Sequence, residues 1–149
     1  MLQAISLAQT AALLKEVPVG AVIVKQDKVI ASGFNLRENS QIVSKHAEII
    51  AIEKACSYLN SWRLIDCTLY VTLEPCLMCA GAIYQSRIKK VVFGAYDKKA
   101  GAMGSLYNIP ADTRLNHNCE IEAGVEEEQC KNLLKNFFQQ RRKKNNPTE

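Results

Sequence analysis

The chain has 149 residues, of which 48% are hydrophobic and 23% are charged, and its formal net charge is +4 at pH 7. These values are ordinary for a globular domain with a sizeable core, so we predict a single domain over residues 1–149. No apolar run approaches the roughly 18 residues of a membrane-spanning helix, which excludes a helical span of the membrane. The mildly basic charge permits an anionic partner without requiring one.

The first segment, "MLQAISLAQTAALL", is apolar, but Gln and Thr interrupt it and no basic residue precedes it. We therefore predict an amphipathic helix from Leu2 to about Leu14 rather than a signal peptide. Without a signal peptide, the six cysteines indicate a reducing, cytoplasmic setting. In that setting a close pair of cysteines indicates metal or redox chemistry rather than a disulfide.

The rest of the chain predicts strands that alternate with helices. Short apolar runs on both sides of "QDK" predict a hairpin, and the polar stretch "NLRENSQIVS" predicts a loop. The predicted strands are Ala21–Lys25, Val29–Gly33, Thr68–Leu73, Val91–Ala95 and Glu120–Val125, and the predicted helices are His46–Leu59, Cys76–Ser86 and Glu126–Gln140. Asp97–Ser105 is a Gly-rich loop, and the basic tail from Arg141 to Glu149 is predicted to fray.

The unit from Thr68 to Ala95 is predicted as strand, helix and strand. Such a crossover implies parallel neighbouring strands, whereas the strands of the hairpin are antiparallel. The sequence therefore predicts an α/β fold in which helices cover both faces of a mixed sheet. Sites in such sheets lie beyond the carboxyl ends of the strands, and Glu74-Pro75-Cys76 follows the end of a predicted strand.

Two predicted helices begin with residues that can bind a metal. His46 and Glu48 stand two apart at the start of one helix, and Cys76 and Cys79 form a C-x-x-C pair after Pro75 at the start of another. Residues two apart inside a helix point to nearly opposite sides, but side chains of the first turn can reach over its open end. An H-x-E segment followed by P-C-x-x-C is the signature of zinc nucleobase deaminases.

We interpret His46, Cys76 and Cys79 as zinc ligands, since three protein ligands leave the open position of a catalytic site. Glu48 is then free to carry protons beside a zinc-activated water. Each residue alone has a plainer interpretation. A His or Glu at a helix start often caps the helix or complements its dipole, and a lone C-x-x-C is often a redox pair. The joint pattern favours the zinc site.

Five segments extend the similarity beyond the zinc motifs: "EVPVGAVIV", "HAEIIAI", "WRLIDCTLYVTLEPCLMCAGAI", "SRIKKVVFGAYD" and "GSLYN". Through them the sequence resembles the bacterial tRNA-specific adenosine deaminases of the cytidine deaminase-like superfamily. The resemblance implies a three-layer α/β/α fold with a central mixed five-stranded sheet and one Zn²⁺ per chain. It also implies a cytoplasmic homodimer that hydrolytically deaminates adenosine to inosine at the wobble position of the tRNA anticodon.

The resemblance also implies roles for individual residues, with His46, Cys76 and Cys79 as zinc ligands and Glu48 as the proton carrier. Substrate-binding positions are matched by Asn35 for the target nucleotide, by the Ala47 backbone and the Glu74-Pro75 turn for the base, and by Asp97, Asn116, His117, Phe138 and Arg141 on the RNA-facing side. Asn and Asp are also common turn formers, which is the alternative interpretation of Asn35 and Asp97. The basic residues are expected to hold RNA phosphates, or alternatively to form a solvated surface.

Two other functions remain open from the sequence. One is a deaminase of free bases, nucleosides or nucleotides, such as guanine or a cytosine compound; the basic C-terminal helix and "GSLYN" argue against it. The other is a zinc-stabilised RNA-binding or scaffold subunit without catalysis, which Glu48 disfavours. Lys45 and Tyr107 depart from the residues usual in the family, near the expected RNA groove. His117 and Cys119 are a possible second metal pair, but two ligands without partners rarely hold zinc.

Overall fold

A computed structural model describes residues 1–146. The strands are β1 (Gly20–Lys25), β2 (Lys28–Phe34), β3 (Cys67–Leu73), β4 (Lys90–Ala95) and β5 (Glu120–Ala123). The helices are α1 (Leu2–Leu13), α2 (Arg37–Ser40), α3 (Ala47–Leu59), α4 (Leu77–Ser86) and α5 (Glu127–Asn145), with a 3₁₀ turn at Ile109–Ala111. None of the helices within residues 1–146 is long and apolar enough to cross a membrane.

The five strands form one mixed sheet in the order β2-β1-β3-β4-β5. β1 pairs antiparallel with β2 and β3, whereas the β3–β4 and β4–β5 pairs are parallel. Gln26 and Asp27 connect β1 to β2 with φ values of 50° and 61°, as a type I′ hairpin turn requires. At the carboxyl end of β3, Leu73 is paired with Ala95 of β4, so the segments that follow these residues leave the sheet side by side.

Helices cover both faces of the sheet. α1 and α5 pack on one face, and α3 and α4 pack on the other. Two glycines allow this close packing. A Cβ on Gly20 would lie 2.0 Å from the carbonyl oxygen of Ala4 in α1, and a Cβ on Gly33 would lie 2.7 Å from that of Ala47 in α3. The second contact holds the start of α3 against β2.

The larger hydrophobic cluster lies between the sheet and the pair α3 and α4. Leu69 of β3, Phe93 of β4 and Ile83 of α4 are completely buried in it. Burial of a side chain as large as Phe93 contributes roughly 1.5–3 kcal/mol, so this cluster holds both helices on the sheet. Because β4 is covered on both faces, its sequence after Lys90 is a continuous run of apolar and small residues.

The predicted fold class, a mixed five-stranded sheet between two layers of helices, is confirmed. The structure differs from the sequence prediction in two places. The segment Asn35–Ser44, predicted as a loop, contains α2, whose backbone N–H groups bond to the distant Glu16 carboxylate. The tail predicted to fray from Arg141 is helical through Asn145, because basic residues in a last turn complement the helix dipole. Residues 147–149 of that tail lie outside the described residues.

Candidate metal centre and catalytic pocket

The three predicted zinc ligands meet beyond the carboxyl end of β3. His46 is the N-cap residue of α3, Cys76 is the N-cap residue of α4, and Cys79 lies in the first turn of α4. Nδ1 of His46 is 3.6 Å from Sγ of Cys76 and 3.5 Å from Sγ of Cys79. No other group of three or more His, Cys, Asp or Glu side chains in residues 1–146 is close enough to hold a metal ion.

The spacing of these atoms fits tetrahedral zinc. Zn–S bonds of about 2.3 Å and Zn–N bonds of about 2.0–2.1 Å place a sulfur ligand and a nitrogen ligand about 3.6 Å apart. The measured S–N distances, 3.6 Å and 3.5 Å, agree with this value. Two thiolates and one imidazole are a donor set that zinc prefers, and three protein ligands leave the fourth position for water or substrate.

The two cysteines differ in how readily they lose a proton. A hydrogen bond from Cys79 lowers the pKa of the Cys76 thiol to about 4, and a hydrogen bond with His46 acts in the same direction. The hydrogen bond to Cys76, together with burial, raises the pKa of Cys79 well above its usual range. The hydrogen bond with Cys76 also raises the pKa of His46. Metal binding would displace the proton that the two sulfurs share, because only deprotonated thiols coordinate.

Glu48 lies beside the three candidate ligands without belonging to their group. It is 4% exposed and lines the same pocket as His46 and Cys76. Burial raises the pKa of Glu48, which suits a group that both takes and gives protons. The His46 backbone is extended (φ −80°, ψ 155°), so His46 lies just before the first residue of α3 and its side chain does not follow the helical spacing. This geometry explains how two residues only two apart can serve one site.

The pocket at these residues has a volume of about 210 Å³. Its acidic lining residues are Glu16, Glu38, Glu48, Glu74 and Asp97, and its other lining residues are Val17, Val19, Asn35, Arg37, His46, Leu73, Cys76 and Ala100. Carboxylates repel anions and accept N–H donors. The pocket therefore suits an uncharged nitrogen heterocycle better than a phosphate group.

Asn35 joins three segments of the pocket wall. Its Oδ1 accepts a hydrogen bond from the Ala47 backbone N–H at 2.8 Å, and its Nδ2 donates to the Val17 carbonyl at 3.1 Å. Asn35 thereby satisfies the first free N–H of α3, next to His46 and Glu48. Asn35 lines the pocket, whereas Ala47 is fully buried behind it. The contact of either residue with a nucleotide stays a prediction.

Glu74 holds one end of the Gly-rich loop Asp97–Ser105 against the other. Its carboxylate accepts four hydrogen bonds, from the backbone N–H groups of Asp97 (3.1 Å), Met103 (3.0 Å) and Ser105 (3.1 Å) and from the Ser105 hydroxyl. Glu74 is only 2% exposed, so these bonds replace water at a buried charge. The family resemblance implied that the Glu74-Pro75 turn contacts the substrate base. In the structure the Glu74 carboxylate accepts hydrogen bonds from the loop Asp97–Ser105.

Asp97 and Pro75 shape the same wall of the pocket. Oδ1 of Asp97 accepts the backbone N–H groups of Lys99 and Ala100, both at 3.1 Å, which closes the turn that follows β4. The Pro75 carbonyl accepts the N–H of Ala102 at 2.8 Å. Asp97 lines the pocket, as expected of a residue near the substrate. Its contact with RNA remains a prediction, and its role in the turn is observed.

A basic groove leads from the pocket along α5. The groove has a volume of about 1060 Å³ and shares four lining residues with the pocket: Val17, Leu73, Asp97 and Ala100. Phe138 and Arg141, two of the predicted RNA-facing residues, line it, and Phe138 is 41% exposed. Its basic residues are Lys98, Lys99, Lys131, Lys135, Arg141 and Arg142, and its acidic residues are Asp97 and Glu127. The excess of positive charge suits phosphates, and the exposed ring suits a stacked base.

Asn116 and His117 are not brought to the pocket of their own chain. Nε2 of His117 lies 2.7 Å from the Ile88 carbonyl oxygen, just before β4 begins. His117 lines a separate cavity with Asp66, which precedes β3, and the neighbouring Asn116 is exposed. These residues therefore lie at the amino ends of the parallel strands, whereas His46, Cys76 and Cys79 lie beyond the carboxyl ends.

Glu16 also lines the pocket, and no sequence pattern predicted it as a site residue. Burial by itself raises the pKa of Glu16. Hydrogen bonds from the Asn39 side chain and from the backbone N–H groups of Glu38 and Asn39, together with nearby Arg37, outweigh this effect and lower the pKa overall. A Glu between α1 and β1 has no local signal of this role, because the groups that it binds are 22 and 23 residues away.

Comparison with known protein families identifies the chain as a deaminase. The family model of the MafB19-like deaminases matches residues 1–142. Deaminases that act on nucleobases combine His and Cys zinc ligands with a Glu that does not bind the metal. The arrangement of His46, Cys76, Cys79 and Glu48 is of this type.

Individual relatives show which kind of deaminase the chain resembles. The chain is 50% identical to the tRNA-specific adenosine deaminase of Bacillus subtilis (strain 168) over 144 residues, which cover 97% of this chain and 89% of that protein. A solved structure from a study of A-to-I editing by tRNA:A34 deaminases matches with a TM-score of 0.85 and 39% identity, over 88% of this chain and 95% of that chain. A guanine deaminase structure from B. subtilis matches with a TM-score of 0.60 and 44% identity, over 63% of this chain and 60% of that chain. The chain belongs to the family of tRNA-specific adenosine deaminases.

Proposed function

We propose that this chain is a zinc-dependent enzyme that hydrolyses adenosine to inosine at the wobble position of a tRNA anticodon. The observation that carries the proposal is the metal-ligand group of His46, Cys76 and Cys79 with the buried Glu48 beside it. Similarity to tRNA-specific adenosine deaminases over nearly the whole chain supports the substrate. A basic groove that opens from the pocket supports an RNA rather than a free nucleoside.

His46, Cys76 and Cys79 would hold one zinc ion. Bound zinc lowers the pKa of a coordinated water to about 7, which supplies a nucleophile at neutral pH. The protein contributes the geometry of the site, because the N-cap positions of α3 and α4 fix two of the ligands. The start of α4 also favours the negative charge of its two thiolates.

Glu48 moves the protons of the reaction. Water adds to C6 of adenine, and the bond from C6 to the exocyclic nitrogen then breaks. Ammonia is released, and C6 becomes the carbonyl carbon of inosine. The Glu48 carboxylate takes a proton from the attacking water and delivers it to N1, and it then assists protonation of the departing nitrogen. Its burial and raised pKa suit it to hold a proton between these steps.

Asn35, the Ala47 backbone and the Glu74-Pro75 turn are the proposed contacts of the target nucleotide. Nδ2 of Asn35 has two protons and donates one of them to Val17, which leaves a donor for the ribose or the base. The RNA on either side of the target would follow the basic groove past Phe138 and Arg141. Contacts there offset the few kcal/mol needed to unstack the target base.

We further propose that the chain acts as a homodimer in the cytoplasm. Leu77, Leu106 and Tyr107 are 49%, 56% and 52% exposed on and beside α4, which suits a protein partner. Asn116 and His117 lie far from the pocket of their own chain, so a second protomer would have to bring them to the RNA. Light scattering at micromolar concentration should give the mass of a dimer, and the mass of a monomer would contradict this assembly.

A side-by-side assay tests the substrate. An anticodon stem-loop with adenosine at the wobble position should be deaminated, whereas free adenosine, cytidine and guanine should be nearly inert. This follows because binding energy from distant parts of the RNA is used in the transition state. Comparable turnover of a free compound would assign the chain to small-molecule deamination. Tight RNA binding without turnover by zinc-loaded protein would favour a non-catalytic RNA-binding subunit.

A further inference from the structure

Two buried carboxylates of the pocket wall accept several hydrogen bonds but form no salt bridge in the described part of the chain, although Arg37 lies near one of them, Glu16. Glu16 and Glu74 are 1% and 2% exposed, and neither forms a salt bridge within residues 1–146. A buried charge is costly unless hydrogen bonds satisfy it. In that part of the chain, all the hydrogen bonds of these two carboxylates come from segments at the mouth of the pocket.

Glu16 anchors the segment that contains α2. Its Oε1 accepts the backbone N–H of Glu38 at 3.0 Å, and its Oε2 accepts the backbone N–H of Asn39 at 2.7 Å and the side-chain amide of Asn39. Arg37 and Glu38 of this segment line the pocket. A helix of only four residues is not stable by itself, so the position of α2 depends on such distant hydrogen bonds.

Glu74 anchors the loop Asp97–Ser105 in the same way. Its hydrogen bonds reach both ends of this loop, and the middle of the loop packs on the carboxylate, since a Cβ on Gly101 would lie 2.3 Å from Cδ of Glu74. The loop also carries Lys98 and Lys99, which line the basic groove. One buried side chain therefore connects the pocket to two of the groove's cations.

We propose that Glu16 and Glu74 are positioning residues, which fix the two segments that border the pocket before the substrate binds. The inference rests on the proposed function, because it assigns both segments to RNA binding. Ordered segments lose less conformational freedom on binding. A carboxylate offers acceptors on both oxygens, whereas an amide would present N–H₂ to N–H donors and leave them unpaired.

The variants Glu16→Gln and Glu74→Gln test this role, because they keep side-chain volume and remove one acceptor oxygen. We expect each to lower kcat/KM for the anticodon stem-loop by up to about 100-fold, the loss that a misplacement of about 1 Å can cause. Zinc content and circular dichroism should remain at wild-type values. Most of the loss should appear as a higher KM, whereas partial unfolding would lower kcat and leave KM unchanged.

Hydrogen exchange gives a second readout that does not depend on activity. Exchange should accelerate in residues 37–40 of Glu16→Gln and in residues 97–105 of Glu74→Gln, with β3 and β4 unchanged. The matched control is Ser86→Ala, which removes a buried hydroxyl that donates to the Ile83 carbonyl at the far end of α4. Its kcat/KM and its exchange in both segments should equal those of the wild type.

Two milder variants keep the test decisive if a Gln variant fails to fold. Asn39→Ala and Ser105→Ala each remove one side-chain donor to an anchoring carboxylate, and each should raise KM several-fold. Wild-type KM in both, or unchanged exchange in both Gln variants, would overturn the proposal. Absence of stem-loop turnover by the wild type would instead overturn the proposed function, and the exchange data would still report on the anchors.

Discussion

The basic groove along α5 predicts the salt dependence of RNA binding. Six side chains provide its positive charge: Lys98, Lys99, Lys131, Lys135, Arg141 and Arg142. Each phosphate contact on single-stranded RNA contributes about −0.7 to the slope of log affinity against log salt, so six contacts give a slope of about −4. Raising the salt concentration from about 50 to about 200 mM should then weaken binding by about 300-fold.

Replacing Arg141 and Arg142 by Ala removes two of these contacts, so the slope should change to about −3. Fluorescence anisotropy of a labelled anticodon stem-loop over the same salt range measures both the slope and the affinity. The matched control replaces Lys28 and Lys54, which lie on β2 and α3, away from the groove, and it should keep the wild-type slope. A wild-type slope near zero, or an unchanged slope in the arginine variant, would refute the assignment of the groove to RNA.

Three further predictions concern the metal, the proton carrier and the pocket wall. Cys76→Ala and Cys79→Ala should each lose zinc and unfold at a lower temperature; full zinc occupancy by metal analysis would remove that cysteine from the ligand set. Glu48→Gln should keep zinc and lose about 100- to 10,000-fold in turnover, the usual contribution of general acid–base catalysis, and a rate near the wild type would mean that another group moves the proton. The pKa of Glu16 is lower in the folded chain than its ordinary value of 4.5, so the ionised carboxylate stabilises the fold at pH values above 4.5. This stabilisation is lost as the pH falls through the pKa of Glu16 in the folded state. Denaturant titrations should therefore show a stability difference between wild type and Glu16→Gln that shrinks below pH 4.5, and a difference that stays constant through this range would contradict the hydrogen bonds assigned to Glu16.

The meeting of His46, Cys76 and Cys79 could be predicted from the sequence because local rules place these residues at helix starts. His46 and Cys76 are N-cap residues, and helix starts can be recognised from the onset of apolar spacing and from Pro75. β2 and β3 both run antiparallel to β1, so the start of α3, after β2, and the start of α4, after β3, lie at the same end of the sheet. These steps depend on short segments and on the directions of neighbouring strands.

Residues whose partners are distant in the chain could not be predicted in the same way. Glu16 and α2 are joined by hydrogen bonds across 22 and 23 residues, and no local pattern indicates them. The carboxylate of Glu74 was expected near the base, but its use by the loop Asp97–Ser105 follows only from how that loop folds back. His117 was matched to an RNA-facing position, and only the sheet topology shows its distance from the pocket of its own chain.

Above all, we propose that this chain converts the wobble adenosine of a tRNA to inosine with Glu48 as proton carrier. The most direct measurement maps inosine by sequencing in tRNA incubated with purified, zinc-loaded protein, and Glu48→Gln is the matched control. We predict inosine at the wobble adenosine with the wild type and unchanged adenosine with the variant. Unmodified wobble adenosine after incubation with folded, zinc-loaded wild-type protein would contradict the claim.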